Sequence, residues 1–206
     1  PQCATPRRAS SRQLSWGLSL LTVGLFQKIV IADGLMAPIS DRGFAAGAPL
    51  ELVDAWGAAL AFSVQVFSDF AGYSTCAIGA ALCLGFSLPE NFHYPFASAG
   101  CTEFWQRWHI TLSRWLRDYL FVPLGGYRHG RRRAFVNLMV TMLLCGLWHG
   151  ASWNFVLFGA MHGLLIAGDR LLRPFTGKAG LRRSRWGEYL LCGVTCGFFC
   201  FTAAVF

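Results

Sequence analysis

Long apolar runs separated by short charged segments dominate the chain. The first run, residues 14–32, is long enough to cross a bilayer, because about 20 helical residues span roughly 30 Å of hydrocarbon. The second, residues 55–86, is too long for one crossing and predicts either two helices meeting near Gly72 or one long tilted helix and a short one. An acidic connection at residues 33–54 is predicted between the two runs.

The second half of the chain has the same pattern. Residues 134–150 and 152–172 predict a helical hairpin that turns at residues 150–152, with Ser152 as the N-cap of the second arm. A final apolar run begins at Tyr189. The predicted fold class is therefore all-α, a multi-pass transmembrane helical protein.

Composition supports a membrane protein. Hydrophobic residues make up 54% of the chain and charged residues only 14%, with a mean hydropathy of +0.43, whereas soluble domains have about 25% charged residues. The net charge of +8 comes from Arg clusters between the apolar runs. That placement is typical of cytoplasmic loops rather than of a nucleic-acid-binding face, so no nucleic-acid partner is expected.

The charge pattern also predicts a topology. The basic segments 7–12, 128–133 and 170–185 belong on the cytoplasmic side, and the acidic connection and the 150–152 turn belong outside. The number of crossings between Asp54 and Arg128 must then be odd. The chain starts without Met and stops within an apolar run, so we expect residues 1–206 to be one membrane-embedded domain fragment of a longer protein.

The eight Cys residues have neither metal-ligand spacing nor polar neighbours. Cys192, Cys196 and Cys200 recur every fourth residue and so lie on one face of a helix. Their expected role is packing between helices, and no metal site is predicted.

One segment does not fit a simple membrane helix. Residues 103–126, EFWQRWHITLSRWLRDYLFVPLGG, predict a strongly amphipathic helix. A helix lying in the membrane interface explains the Trp and Arg residues, but it does not explain His109 on the apolar side. The predicted apolar face consists of Trp105, Trp108, Leu112, Trp115, Leu116, Tyr119 and Leu120, and the polar face of Arg107, Arg114, Arg117 and Asp118.

His149 is the second unusual residue. It lies about 16 residues, or roughly 24 Å, into its predicted helix, which is less than the thickness of the hydrocarbon. Irregular backbone at that depth is tolerated only inside protein or beside a water-filled cavity, and an ionisable group there is a functional candidate. The alternative is a packing histidine bonded to a neighbouring helix. Asp69, also at membrane depth, must likewise face protein or water.

A buried neutral imidazole suits proton transfer. It accepts the proton of a hydroxyl that attacks an acyl carbonyl. The sequence has no nucleophile-elbow Ser, no evident Cys–His pair and no spaced carboxylate pair, so direct transfer to a hydroxyl fits better than an acyl-enzyme. Among the other histidines, His162 is a candidate for the same cavity, His129 is expected to be solvated, and His93 belongs to a Pro-flanked linker.

These motifs resemble the membrane-bound O-acyltransferase family. The runs ENFHYPF and TEFWQRWHITLSRWLRDYLFVPLGG, together with GLWHGASWNFVLFGAMHG, LFQKIVIAD and DFAGYS, are similar to its bacterial branch of alginate O-acetylation and teichoic-acid D-alanylation proteins. In this resemblance His149 matches the catalytic histidine, and His109 matches a second position that is His in this branch and Asn or Asp in others. This chain departs from the pattern at Thr75, where a carboxylate is common, and at His93, where Asn is usual.

The resemblance implies a tunnel through the membrane, with a catalytic pair and a set of lining residues. His149 would act as the general base, and His109 would orient or polarise the reacting groups. The residues expected to line the tunnel or contact substrate are Trp105, Trp108, Arg107, Asp118, Trp148, Asn154, His162 and Asp69.

The implied activity is transfer of acetyl groups from a cytoplasmic donor across the bacterial inner membrane to an exported polysaccharide such as alginate. The donor would be acetyl-CoA or another acetyl donor acting as substrate, with no bound cofactor. Periplasmic acetyltransferase proteins would be partners. Three alternatives remain: D-alanyl transfer to a cell-wall polymer, a non-enzymatic channel or scaffold, and nucleic-acid or lipid binding through the Arg clusters.

Overall fold

The protein is described here from a computed structural model that covers residues 2, 4, 7–45, 51–178 and 184–205. Within these residues the secondary structure is helical and contains no strand, which confirms the predicted all-α class. The helices are α1 (Ser11–Leu25), α2 (Ala37–Phe44), α3 (Leu52–Cys83), α4 (Cys101–Arg107), α5 (Ile110–Leu116), α6 (Gly130–His149), α7 (Trp153–Lys178) and α8 (Arg185–Val205). Two π-helical segments, Phe26–Met36 and Arg117–Phe121, follow α1 and α5, and Pro95–Ala97 forms a 3-10 turn.

The chain divides into two compact units, Pro1–Asn91 and Phe92–Phe206. Each unit is described below by itself. The expectation of one membrane-embedded domain over residues 1–206 stays a prediction.

In the N-terminal unit, one helical segment runs from Ser11 to Phe44 through the π-helical stretch. The predicted acidic connection therefore begins only after Phe44, and its start at residue 33 was wrong. Pro38 does not end the segment and lies at the junction between the π-helical stretch and α2. Residues 46–50 of the connection lie outside the described residues.

Helix α3 is a single helix of 32 residues, so the alternative of two helices meeting near Gly72 was wrong, and the alternative of one long helix matches without the additional short helix. Gly72 is instead a packing position against α1: a Cβ added there would lie 2.7 Å from the carbonyl oxygen of Gly24. Gly17 and Gly79 form a second such contact two turns away along the helices. Small residues that let helix backbones approach closely are a common means of packing helices in membranes.

Four helical segments among the described residues are long and apolar enough to cross a bilayer: Ser11–Phe44, Leu52–Cys83, Trp153–Phe175 and Arg185–Ala204. Helix α6 has 20 residues, but Arg131, Arg132 and Arg133 occupy its first turn and shorten its apolar length. The expectation of a multi-pass membrane protein agrees with these four segments.

In the C-terminal unit, α6 and α7 form the predicted hairpin, with its turn at residues 150–152. Ser152 is the N-cap as predicted, since its hydroxyl accepts a hydrogen bond from the Asn154 N–H at 3.4 Å. Gly146 and Gly159 let the two backbones approach closely, because an added Cβ on either residue would collide with backbone of the other helix. The core of this unit consists of Cys101, Phe104, Phe121, Leu138, Met142, Ile166 and Phe199.

The basic segment predicted at residues 170–185 is not a loop throughout. Helix α7 continues to Lys178 and includes Arg170, Arg173 and Pro174. Residues 179–183 lie outside the described residues.

The motif at residues 103–126 is not one continuous helix, and its predicted two-faced arrangement was wrong. Helix α4 ends at Arg107, Trp108 is extended, and His109 is left-handed with φ 43° and ψ 56° before α5 begins. The break lets the Trp108 ring stack on Phe104 at 5.5 Å and meet Phe92 edge to face at 5.0 Å. These tertiary contacts stabilise a backbone that helical periodicity does not anticipate.

Candidate active site

Three histidines and two aromatic rings form a cluster within the C-terminal unit. The indole of Trp148 lies 6.2 Å from the His109 ring and 4.9 Å from the His149 ring, measured between centroids. Phe158 lies between the other pair of histidines, at 5.6 Å from His149 and 4.2 Å from His162. The structure therefore brings together the two histidines expected to be catalytic and the third histidine expected to line the same cavity.

The α6–α7 hairpin positions His149. The residue ends α6, one turn after Gly146, at which the two helices make their close backbone contact. Its ring also stacks against Phe155 in the first turn of α7, at 6.0 Å between centroids. His149 is nevertheless exposed in the described chain, so its imidazole is accessible to a substrate.

His109 is positioned by the break between α4 and α5. It is half-buried, and among the described residues only it and Tyr94 adopt positive φ without being glycine. Such backbone conformations cost energy and tend to occur at functional sites. Burial lowers the pKa of His109, and the nearby His149 ring lowers it further, while a backbone hydrogen bond opposes the shift. His109 is therefore neutral near pH 7 and has one ring N–H to donate.

His162 is almost completely buried, with 1% of its surface exposed. Its neighbours are aromatic: Phe158, Phe199 at 4.8 Å and Trp105 at 5.4 Å between ring centroids. Within the described part of the chain, neither of its ring nitrogens has a hydrogen-bond partner. A buried polar group without a partner is costly, which makes structural packing an incomplete explanation of this residue.

A cavity of about 270 Å³ adjoins the cluster. Trp105 contributes to its wall and also meets Phe158 and His162 edge to face. Most of the lining is apolar, and among the described residues its charged groups are the guanidinium groups of Arg117 and Arg170. The lining residues are Trp105, Ser113, Leu116, Arg117, Phe121, Val122, Tyr127, Leu138, Thr141, Met142, Ile166 and Arg170.

Several of the other predicted site residues have structural contacts. Arg107 forms an ion pair with Glu103 at 2.5 Å, and its backbone oxygen accepts a hydrogen bond from the His93 N–H. Trp108 packs on Phe104. Asp118 is exposed and pairs with the neighbouring Arg117, whose hydrogen bond lowers the pKa of the Asp118 carboxyl.

Two further predicted residues, Asn154 and Asp69, have other contacts in the structure. Asn154 is exposed in the first turn of α7, where its N–H bonds Ser152. Asp69 lies in the N-terminal unit and pairs with Lys28 at 2.8 Å, and Lys28 also pairs with Asp33 at 2.9 Å. The roles assigned to these residues stay predictions.

Sequence reasoning missed Phe158 as a site residue. The available signal was its spacing, because Phe158 and His162 are four residues apart and so share a face of α7. It also missed Asp169, whose carboxylate accepts a hydrogen bond from the Thr102 N–H at the start of α4. No sequence spacing connects Asp169 with Thr102.

Among the described residues, no group of three or more His, Cys, Asp or Glu side chains could hold a metal ion.

Comparisons with a protein-family model and with curated proteins both indicate an acyltransferase family. The sequence model of the MBOAT, membrane-bound O-acyltransferase, family matches residues 1–205. The chain is 48% identical over 170 residues to the probable alginate O-acetylase AlgI of Azotobacter vinelandii, covering 82% of this chain and 34% of that protein. It is also 41% identical to the peptidoglycan O-acetyltransferase of Helicobacter pylori, covering 81% of this chain and 32% of the relative.

A more distant relative is the teichoic acid D-alanyltransferase of Bacillus subtilis, which is 33% identical over 70% of this chain and 39% of its own length. The chain thus spans about a third of the length of the curated relatives it matches, between 32% and 39% in these three. The match along nearly the whole chain agrees with the helical architecture and the histidine cluster. The chain belongs to the membrane-bound O-acyltransferase family.

Proposed function

We propose that this chain forms the reaction centre of a membrane O-acyltransferase that acetylates an exported polysaccharide such as alginate. The observation that most supports this function is that the rings of His109 and His149 both lie beside the indole of Trp148. The names of the two O-acetylating relatives support acetyl as the transferred group.

In the proposed reaction, a neutral His149 removes the proton of an acceptor hydroxyl while the hydroxyl oxygen attacks the carbonyl carbon of an acetyl thioester. The new C–O ester bond forms and the C–S bond breaks. The proton held by His149 then passes to the departing thiolate, which leaves as a thiol. A ring N–H of His109 donates a hydrogen bond to the carbonyl oxygen and stabilises its developing negative charge.

The donor is proposed to be acetyl-CoA or a related acetyl thioester that enters from the cytoplasm. The 270 Å³ cavity suits its flexible arm, since the lining is mainly apolar and reaches the histidine cluster through Trp105. Arg117, which also pairs with Asp118, provides a guanidinium in the same lining for a phosphorylated donor.

D-alanyl transfer is the second candidate, because a D-alanyltransferase is among the relatives. A D-alanyl group has an ammonium that requires a carboxylate or several acceptors. The lining of the cavity includes no Asp or Glu side chain among the described residues, and both of its charged groups are cationic. This charge pattern favours acetyl over D-alanyl.

We further propose that the full protein works in the bacterial inner membrane, with its Arg-rich helix ends on the cytoplasmic side. Periplasmic acetyltransferase proteins would then complete the transfer to polymer. A channel or scaffold would need no acyl donor. Labelling that depends on the acyl donor therefore distinguishes an enzyme from a channel or scaffold.

The test uses membranes that contain the full-length protein, incubated with radiolabelled acetyl-CoA and, separately, with labelled D-alanyl donor. We expect acetyl label to reach polysaccharide or a partner protein, and we expect His149→Ala to abolish the transfer. Labelling by the D-alanyl donor alone would establish the second candidate. Equal background labelling with and without the protein would reject an acyltransferase.

A further inference from the structure

A second, larger pocket lies beside the donor cavity and has no place in the acyl-transfer mechanism. Its volume is about 750 Å³, and it is lined by the first turns of α6 and the last turns of α7. It shares Tyr127, Leu138 and Arg170 with the donor cavity. We call it the basic groove, lined by Tyr127, Arg131, Arg132, Ala134, Phe135, Leu138, Ala167, Arg170, Leu171, Pro174 and Phe175.

The charge of the basic groove is uncompensated. Arg131, Arg132 and Arg170 line it, and among the described residues none of the three is within ion-pair distance of a carboxylate. The first turn of α6 contains no acidic residue and no side-chain cap. Arginine is unfavourable there because the start of a helix already has partial positive charge. An anion in the groove would offset both the charge of the arginines and that of the helix start.

The remaining wall of the groove is apolar and open. Phe135 is 43% exposed, Leu171 63% and Phe175 69%, and they lie beside the guanidinium groups. Leu171 and Phe175 end the segment Trp153–Phe175, which is apolar enough to cross a bilayer. The lining of the groove therefore combines guanidinium groups with exposed apolar side chains from both helices.

We propose that the basic groove binds an anionic phospholipid, with the headgroup phosphate on Arg131, Arg132 and Arg170 and an acyl chain along Phe135, Leu171 and Phe175. Both halves of such a ligand match the lining. Basic pockets between membrane helices bind anionic headgroups by the same complementarity. A soluble phosphate or a nucleic-acid backbone would bind the guanidinium groups but would leave the apolar side chains without a partner.

Bound lipid would also act on the neighbouring cavity. The Arg170 guanidinium lies 4.0 Å above the centre of the Tyr127 ring, and both residues line the groove and the cavity. A phosphate on Arg170 would hold this cation–π pair in place and so fix one wall of the donor cavity.

The test is native mass spectrometry of the full-length protein, purified in detergent and mixed with dioleoylphosphatidylglycerol or dioleoylphosphatidylcholine. We expect preferential retention of phosphatidylglycerol and at least a fivefold loss of that preference in the Arg131→Gln/Arg132→Gln variant. The matched control, Arg128→Gln/Arg133→Gln, removes the same charge outside the groove and should keep the preference. The Arg131→Lys/Arg132→Lys variant keeps the positive charge and should retain most of the phosphatidylglycerol binding. It provides a second test of the role of charge if the Gln variant is unstable.

A Phe135→Ser variant tests the apolar wall and should also weaken phosphatidylglycerol binding. Equal retention of the two lipids, or equal loss in the Arg131/Arg132 and Arg128/Arg133 variants, would overturn the proposal. Displacement of the lipid by millimolar inorganic phosphate would overturn it in favour of a soluble phosphate site. His149→Ala should bind lipid normally, so failure of the acyl-transfer proposal would not affect this result.

Discussion

The ring of His109 meets the indole of Trp148 edge to face, with 6.2 Å between centroids and 76° between planes. Trp148 is adjacent in sequence to His149, whereas His109 lies about forty residues earlier, at the break between α4 and α5. One indole therefore connects two histidines supplied by separate parts of the C-terminal unit.

The left-handed conformation of His109 predicts an unusual order among its substitutions. Asn adopts this conformation with less strain than most other non-glycine residues, whereas Ala has no such preference and costs about 1 kcal/mol or more there. We expect His109→Asn to unfold near the wild-type temperature and His109→Ala to unfold at a lower one. Both should reduce acetyl transfer, because both lack the imidazole. Thermal unfolding of the purified full-length variants tests the order, and equal stability of Asn and Ala would contradict it.

The hairpin that positions His149 depends on Gly146. A methyl group on this residue would meet the backbone oxygen of Phe155 and force α6 and α7 apart. We expect Gly146→Ala to destabilise the protein by about 1–3 kcal/mol, as overpacking does, and to lower transfer activity. Gly168→Ala is the control, since Gly168 lies inside α7 with no neighbouring atom within 4 Å of an added Cβ. A similar response to both substitutions would contradict the role of the close contact.

His162 predicts a trade-off between stability and activity. Its buried nitrogens lack partners among the described residues, so replacement by Leu removes a desolvation penalty of about 1–3 kcal/mol. We expect His162→Leu to unfold at a higher temperature and to transfer acetyl more slowly. Unfolding and donor-labelling measurements on the same preparation test both effects. If His162→Leu transferred acetyl at the wild-type rate, His162 would have a packing role alone.

The pKa of His109 predicts a pH effect on stability. Burial lowers it below the ordinary value of 6.5, so the unfolded chain binds a proton more readily than the folded chain does. This residue's contribution to stability is therefore complete above about pH 6.5 and is lost as the pH falls below that value. We expect wild type to lose more stability than His109→Asn between pH 7.5 and 5.5. Parallel pH profiles of the unfolding temperature would contradict the prediction.

Much of the fold follows from the sequence because membrane helices have strong local signals. The hairpin turn and the Ser152 cap follow from an apolar pattern interrupted by Gly and Ser. The sequence left open whether the 55–86 run is broken near Gly72, because a glycine is found both at bends and at close helix contacts. Gly72 is a close contact, and only its partner Gly24 shows this.

The site was predictable as residue types but not as geometry. His109 and His149 are unusual at their positions, and this signal is present in the sequence alone. The break at Trp108 is not, because the Trp108 ring also contacts Phe92, which lies outside the motif and which no local pattern connects with it. The position of Phe158 between two histidines likewise requires the turn of α6 onto α7.

The most direct test of the central claim is polysaccharide acetylation in cells that express the full-length protein with His149→Ala. Membrane abundance of the variant is measured in parallel, and His129→Ala, an exposed histidine outside the cluster, serves as the control. The account predicts loss of acetyl groups at normal abundance for His149→Ala and normal acetylation for His129→Ala. Retained acetylation in His149→Ala would contradict it and would favour a channel or scaffold.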